Sequence, residues 1–343
     1  MISGLCPLRP THHRTMKGSN MPGILSIVAP CHNEQECLPE LYKRLTQVAD
    51  KLDMKVEMIL VDDGSADDTW RIIQNLARKD SLVRGISFSR SFGQQAALKA
   101  GYQASAGDAV VCLDSDLQHP PEMIPRLVEV WRQGYSVVNT VRRYGASVGF
   151  LKRLGSAAFY RLFTFLSGMQ FPSGIADFRL LDRQVVRALI SMPERNSSLK
   201  FAVHWLGFRQ AYLEYDCEKR FAGQSKWSFF RLLLLAMQNI VQFSVFPLRL
   251  SFILSAVAAL MFSVYALYAM YSKFVLGIAV PGWTSIVLTI SFLASLQFLT
   301  IGLLGEYIGV IYDEVKRRPG FLVRERVGVP ACERDKEEIT AIL

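Results

Sequence analysis

No two cysteines in this 343-residue chain stand at C-x-x-C spacing, and the six present, at positions 6, 31, 37, 112, 217 and 332, are too sparse for a secreted disulfide scaffold. They read as reduced, cytosolic thiols. Histidine is scarce, and neither His32 nor His119 has a second His or Cys at zinc-site spacing, so both read as polar loop residues. The first twenty residues mix scattered positive charge with Pro, Gly and Ser and contain no apolar run of the kind a secretory signal needs. They read as a disordered leader, with Met16 or Met21 as alternative starts. No internal repeat or low-complexity tract stands out. Absent too are a G-x-G-x-x-G after the first apolar run and any G-x-x-x-x-G-K-[ST] loop, so neither of the familiar glycine-rich cradles for phosphate is available.

Apolar surface and positive charge are what the chain has in plenty. Hydrophobic residues make up 50% of it and the mean hydropathy is +0.20, high for a purely soluble enzyme. The net charge of +9 suits an anionic membrane face or a phosphate-bearing substrate, and no nucleic-acid motif accompanies it.

Two regions follow the leader at 1–22. From residue 24 to about 140, the runs "ILSIVAP", "VEMILVDD", "VRGISFS" and "AVVCLDSD" are apolar on both faces, as strands of a buried parallel sheet must be. Residues 38–51, 67–78 and 94–105 between them read as amphipathic helices. The alternation predicts an open α/β sheet, Rossmann-like and mostly parallel, in a domain spanning 23–226.

Further on, residues 250–272 and 274–305 carry no charge, and each is long enough for a membrane-spanning helix. They predict a two-helix hairpin over 249–308, turning at Lys273, Gly277, Pro281 and Gly282. Lys226, Arg231 and Arg249 before the first span and Lys316, Arg317 and Arg318 after the second place both ends on the cytoplasmic side. Stretches starting at Phe150 and Trp227 mix aromatics with Arg and Lys like helices lying at a membrane surface, the second covering 227–248. The tail over 309–343, rich in Glu, Arg and Lys after Pro319, reads as solvated.

The chemistry concentrates where strands end. Residues i and i+2 of a strand point the same way, so Asp114 and Asp116 are expected to converge while Ser115 faces away. Such carboxylates, with the amide of Gln118, are ligands for a hard cation such as Mg²⁺ or Mn²⁺. The first strand ends at Pro30 before "CHNEQE" and the second at Asp62 and Asp63, on the edge where open α/β sheets bind ligands. Without a glycine-rich loop, a diphosphate there must be neutralised by metal.

Taken together and in order, "PCHNEQE", "ILVDDGSADDT", "FGQQAALKAG", "LDSDLQHPPE", "FRLLDRQVV", "RFAGQSKWS" and "GLLGEYIGVIYDEVKRRP" resemble the family 2 glycosyltransferases of GT-A fold. Within them they resemble the polyprenyl-phosphate sugar transferases, the subgroup of dolichol-phosphate mannose synthase and the bactoprenol glucosyltransferases. The resemblance implies that Pro30, Asn33, Glu34 and Asp62 hold the base and ribose of a nucleotide, that Asp114 and Ser115 lie beside the ribose and diphosphate, and that Asp116 and Gln118 ligate the metal. It makes Asp177 the candidate base, with an internal salt bridge to Arg179 or Arg183 as the alternative reading.

A phosphate monoester acceptor is largely dianionic at neutral pH and needs positioning more than deprotonation. Arg142, Arg143, Arg220 and Lys226 are the cations expected to position it. The predicted reaction moves a hexose from a nucleotide sugar, with UDP-glucose as expected donor, to undecaprenyl phosphate with inversion, at the bacterial plasma membrane. A processive polysaccharide synthase and a non-catalytic membrane scaffold or flippase partner are the rival readings. The sugar stays open, and small residues at Ser251, Ser255, Ala258 and Gly302 favour a homo-oligomer.

Overall fold

A computed structural model of the chain describes residues 23–143, 174–192, 198–216, 246–277 and 282–328. The expected β-α alternation opens it: β1 (Ile24–Cys31), α1 (Leu38–Ala49), β2 (Lys55–Asp62), α2 (Thr69–Lys79), β3 (Val83–Phe88), α3 (Gln94–Ala104), β4 (Ala109–Cys112) and α4 (Ile124–Arg132). Then come β5 (Val137–Arg143), β6 (Ile175–Asp182), α5 (Arg183–Ser191), α6 (Leu199–Trp205) and β7 (Gln210–Asp216). Two long helices, α7 (Phe246–Phe274) and α8 (Trp283–Val315), precede a last strand, β8 (Val323–Val327).

All eight strands form one sheet in the order β7-β5-β6-β4-β1-β2-β3-β8. The pairs β1–β2, β1–β4, β2–β3 and β5–β7 are parallel, whereas β4–β6, β5–β6 and β3–β8 are antiparallel. The sheet is therefore mostly parallel. Strand alternation splits the core in two. Leu25, Ile27 and Ala29 of β1 pack with Leu38, Leu41 and Leu45 of α1 and Leu127 of α4, while Val28 joins Ala97 and Leu98 of α3 and Val185 and Leu189 of α5 on the other face. Each such buried leucine, isoleucine or valine contributes about 1.5–3 kcal/mol. In α1, Leu38, Leu41, Leu45 and Val48 recur at helical spacing and are all buried, with Pro39 in the first turn where its missing N–H costs nothing. Gly101 of α3 sits so close to Val28 that any side chain there would displace it.

Long apolar side chains of α7 and α8 are exposed, Phe252 and Phe298 by about three quarters. The segments Leu250–Phe274 and Thr289–Val315 have mean hydropathies of 2.2 and 1.5, so two helices are long and apolar enough to cross a membrane. Hydroxyls on them bond back to carbonyls four residues earlier, Ser255 to Ser251 and Thr300 to Leu296, which satisfies them without water. The rings of Phe262 and Phe292 meet at 6.2 Å between the two helices. Ser251 and Ala258 are already buried within the single chain, whereas a Cβ at Gly302 would meet nothing.

Two expectations change. Helix α8 runs on to Val315, past the expected end of the hairpin at 308. The tail is not wholly solvated: β8 pairs with β3 and adds an edge strand. Its Val327 faces the space left by Gly85, Phe321 stacks on Phe88 at 4.9 Å, and Glu325 accepts hydrogen bonds from Trp70 at 2.9 Å and Gln74 at 2.7 Å on α2. The charged letters of this segment hid a strand whose apolar residues are few but well placed. Of the stretches expected to lie at a membrane surface, the one from Phe150 to 168 and, of 227–248, residues 227–245 fall outside the described residues, as does the leader, while 246–248 open α7.

Candidate active site

Strand direction alone delivers the polar residues to one rim. β1 to β4 run parallel, so their carboxyl ends share an edge of the sheet. β6 is antiparallel to β4 and brings its amino end there, with Asp177; β5, antiparallel to β6, ends there with Arg142 and Arg143. This is where ligands bind in open α/β sheets.

At β1 and β2 the rim is held by a dense set of hydrogen bonds between two loops. Asn33, in left-handed backbone at φ 56°, donates its N–H to Ser65 Oγ at 3.0 Å and accepts from Ala66 N at 2.9 Å. Its own side chain is among the exposed ones. The backbone N–H of Glu34 donates to Thr69 Oγ1 at 2.9 Å, and His32 meets the carbonyl of Asp63 at 2.8 Å. Asp62 is fully buried and accepts from Ser65 N at 3.0 Å and Ser87 Oγ at 2.8 Å. It does not accept from the first turn of α2; Asp67, one residue before the N-cap Asp68, accepts from Thr69 N at 3.0 Å. Asp63 takes Ser91 Oγ, Phe92 N and Gly93 N ahead of α3. Gly64 lies at φ +62° against the backbone of Arg90 and Ser91, where no side chain fits.

The D-x-D segment departs from expectation, because β4 stops at Cys112 and the aspartates lie beyond it in a turn. Alternation along a strand therefore does not set their directions; side-chain hydrogen bonds do. Asp114 N donates to His119 Nδ1 at 3.1 Å, Ser115 Oγ donates to the Pro30 carbonyl at 2.9 Å, and Gln118 N donates to Asp116 Oδ1 at 3.1 Å. Leu117 sits at φ 61°, a conformation that is costly for a leucine and is held by burial of its side chain in the core.

The acidic groups still gather. Burial, then the charges of Asp177 and Asp116, push the Asp114 carboxyl up to about 7; Arg142 and a hydrogen bond from Gln94 oppose the rise. That bond, from Gln94 Nε2 to Asp114 Oδ1, is 2.6 Å long. Asp177 Oδ1 accepts from the buried Arg179 at 2.7 Å, so the internal salt bridge exists and its partner is Arg179. Arg183 instead bonds to the Gly107 carbonyl. Arg142 donates to Tyr215 OH and meets His119 Nε2, each at 3.0 Å. Burial and Arg142 hold His119 down at about 4, and its ring stacks on Phe178. His119 thus lies in the loop between β4 and α4 as expected, but it is fully buried there and links the D-x-D turn to Arg142. Arg220 and Lys226 lie outside the described residues. Cys31, Cys37 and Cys112 are buried free thiols, and burial pushes Cys112 up to about 11.

Among the described residues, no group of three His, Cys, Asp or Glu side chains is arranged to hold a metal ion unaided. Asp114, Asp116 and the Gln118 amide offer oxygen donors, and a dication would offset both the burial and the neighbouring charges that raise Asp114. This donor set fits a hard cation that takes its remaining ligands from a diphosphate and water.

Gln94, His119, Arg179 and Tyr215 are the site residues that sequence reasoning did not assign. Gln94 and His119 stand inside recurring motifs, and Arg179 two residues from Asp177 on a strand must share its face. Tyr215 had no such signal, since only the β5–β7 register brings it to Arg142.

A mixed α/β sheet with helices on both faces and a D-x-D turn on its carboxyl edge is the architecture of a GT-A glycosyltransferase. The sequence profile of glycosyl transferase family 2 matches residues 26–190, and the chain belongs to that family. It is 39% identical over 302 residues to a bactoprenol glucosyl transferase of Shigella phage SfX, covering 88% of this chain and 99% of the relative. It is 38% identical over 300 residues to a prophage bactoprenol glucosyl transferase homolog of Escherichia coli, covering 88% and 98%. An uncharacterized glycosyltransferase of Synechocystis is 37% identical over 305 residues, covering 89% and 96%. Among solved structures, glucosyl-3-phosphoglycerate synthase from Mycobacterium tuberculosis, crystallised with Mn²⁺, UDP-glucose and phosphoglyceric acid, is similar at a TM-score of 0.45 and 22% identity, covering 64% of this chain and 78% of that one.

Proposed function

We propose that the protein is a membrane-bound inverting glycosyltransferase that moves a hexose from a nucleotide sugar, UDP-glucose in the first instance, to undecaprenyl phosphate. The observation that carries the reading is the meeting of Asp114, Asp116, Asp177 and Arg142 at one rim of a sheet whose edge strand β8 follows directly on an apolar hairpin. The names of the relatives, bactoprenol glucosyl transferases, support the lipid acceptor.

In this reading Pro30, Asn33, Glu34 and Asp62 hold the base and ribose, and Asp114 with Ser115 flanks the ribose and diphosphate. Asp116 and Gln118 hold the cation, which when bound offsets the charge of the departing nucleoside diphosphate. An oxygen of the acceptor phosphate attacks the anomeric carbon from the face opposite the leaving group. The new C–O bond forms as the bond to the diphosphate breaks, and the configuration inverts. The acceptor needs little help from a base, so Asp177, tied to Arg179, orients it or the sugar hydroxyls. Arg142, Arg143, Arg220 and Lys226 screen its charge.

A bacterial plasma-membrane location with the catalytic domain cytoplasmic is supported by the basic flanks of the hairpin. It is supported as well by β8, since α8 must end on the side where the sheet lies. The test incubates membranes with labelled UDP-sugars, Mg²⁺ or Mn²⁺ and undecaprenyl phosphate, followed by organic extraction. Label in a lipid carrying one sugar is expected. Label only in polymer, or none with any donor, sinks the reading.

A further inference from the structure

The strand that follows the second apolar helix touches the rim through one arginine. Asp62 and Ser87 are partners in the β2–β3 register, and Ser87 Oγ donates to Asp62 Oδ2 at 2.8 Å. Both residues are fully buried. Ser87 Oγ in turn accepts from Arg324 Nη2 at 2.9 Å. A hydroxyl has one proton to give; a cationic donor on its oxygen fixes the rotor so that this proton points at the carboxylate. The ladder explains why Arg324 is the residue that arrives. Ser87 pairs with Glu325 and Phe88 with Val323, so Arg324 is the extra residue of a bulge, the device that re-aims a side chain beside a site. Its neighbour Glu325 turns to Trp70 and Gln74 on the other side of the strand.

We propose that Arg324 is a positioning residue for donor binding: through Ser87 it orients Asp62, making β8 a working part of the nucleotide pocket and tying the end of the apolar hairpin to that pocket. The inference rests on the reading of Asp62 as a nucleotide ligand. Arg324 also brings positive charge within one hydroxyl of a carboxylate shut away from water, which a buried acid needs.

The experiment uses the full-length protein in detergent, with UDP binding measured by calorimetry and transfer kinetics measured against both substrates. Arg324→Ala should raise the donor KM and the UDP Kd about tenfold, the scale of one charge-assisted hydrogen bond. The kcat and the acceptor KM should stay within about twofold, and Arg324→Lys should restore part of the loss. Ser87→Ala should raise the donor KM similarly, and the double variant should be no worse than either single one. Glu325→Gln, which loosens β8 on α2, should lower the melting temperature without moving the donor KM. If Arg324→Ala does not fold, the Lys variant and Ser87→Ala decide. Additive effects of the two substitutions, or a KM rise that merely follows lost stability in Glu325→Gln, overturn the proposal. So does a UDP Kd for Arg324→Ala equal to that of a wild type that binds. A wild type that binds no nucleoside diphosphate overturns the proposed function, and this inference with it.

Discussion

The two halves of the rim treat their carboxylates in opposite ways. At β1 to β3 every aspartate is surrounded by donors: Asp62 by Ser65 and Ser87, Asp63 by Ser91, Phe92 and Gly93, Asp67 by Thr69 and Gln35. Burial alone would raise Asp67, yet hydrogen bonds from Thr69 and Gln35 outweigh it and hold this carboxyl below the ordinary range. At β4 and β6 burial first, and then the charges of Asp177 and Asp116, drive Asp114 up to about 7. One half has its carboxylates satisfied by donors within the chain; the other leaves a raised carboxyl that the proposed cation would offset. Preorganisation by backbone donors suits a pocket for a neutral base and ribose, and stored like-charge repulsion suits a place for a cation.

The largest effect is expected in the crowded half. Asp116→Ala should cut transfer about a thousandfold or more, while the melting temperature stays within a few degrees. Retained activity in labelled-sugar transfer would remove the metal from Asp116. Asp177→Asn keeps an acceptor for Arg179 but removes the charge; kcat should fall about a hundredfold with the donor KM unchanged. A fall in donor affinity instead would move Asp177 to the nucleotide side.

Protonation sharpens the contrast. Because the folded Asp114 holds its proton up to about pH 7 and the unfolded one releases it near pH 4, the contribution of Asp114 to cation-free stability falls as pH rises from about 4 to 7 and levels off above. Without divalent cation, Asp114→Asn should therefore melt several degrees above wild type at pH 8 and close to it at pH 4. Mg²⁺ should raise the wild type and not the variant. A variant less stable than wild type at pH 8 would mean that the repulsion is already relieved.

The sheet was legible because its strands are apolar on both faces and its helices carry their leucines at helical spacing. The rim was legible because parallel strands must end together. Three things were not. The point at which β4 ends depends on His119 and Pro30 taking hydrogen bonds from the turn, which no period in the sequence encodes. The buried position of His119 follows from its packing on Phe178 of a distant strand. The strand β8 is a charged five-residue segment whose partner lies more than two hundred residues earlier, and only a sheet edge waiting for it makes it a strand.

The smallest effect tests the satisfied half. Asp67 accepts from Thr69 N at 3.0 Å and from Gln35 N at 3.3 Å, so it fastens the loop after β1 to the start of α2. A hydrogen bond of this kind contributes about 1 kcal/mol, and Asp67→Ala should lower stability at pH 7 by about that amount. A carboxyl held below its ordinary value stabilises above that value and loses the contribution as pH falls through the folded one. The difference between wild type and variant should thus vanish as the pH drops below about 4, the opposite direction to Asp114→Asn. Denaturant melts of the two variants across pH 3 to 8 compare the halves directly. Two curves of the same sign would show that the donors around Asp67 do not outweigh its burial, and the distinction between the halves would fail at its weaker end.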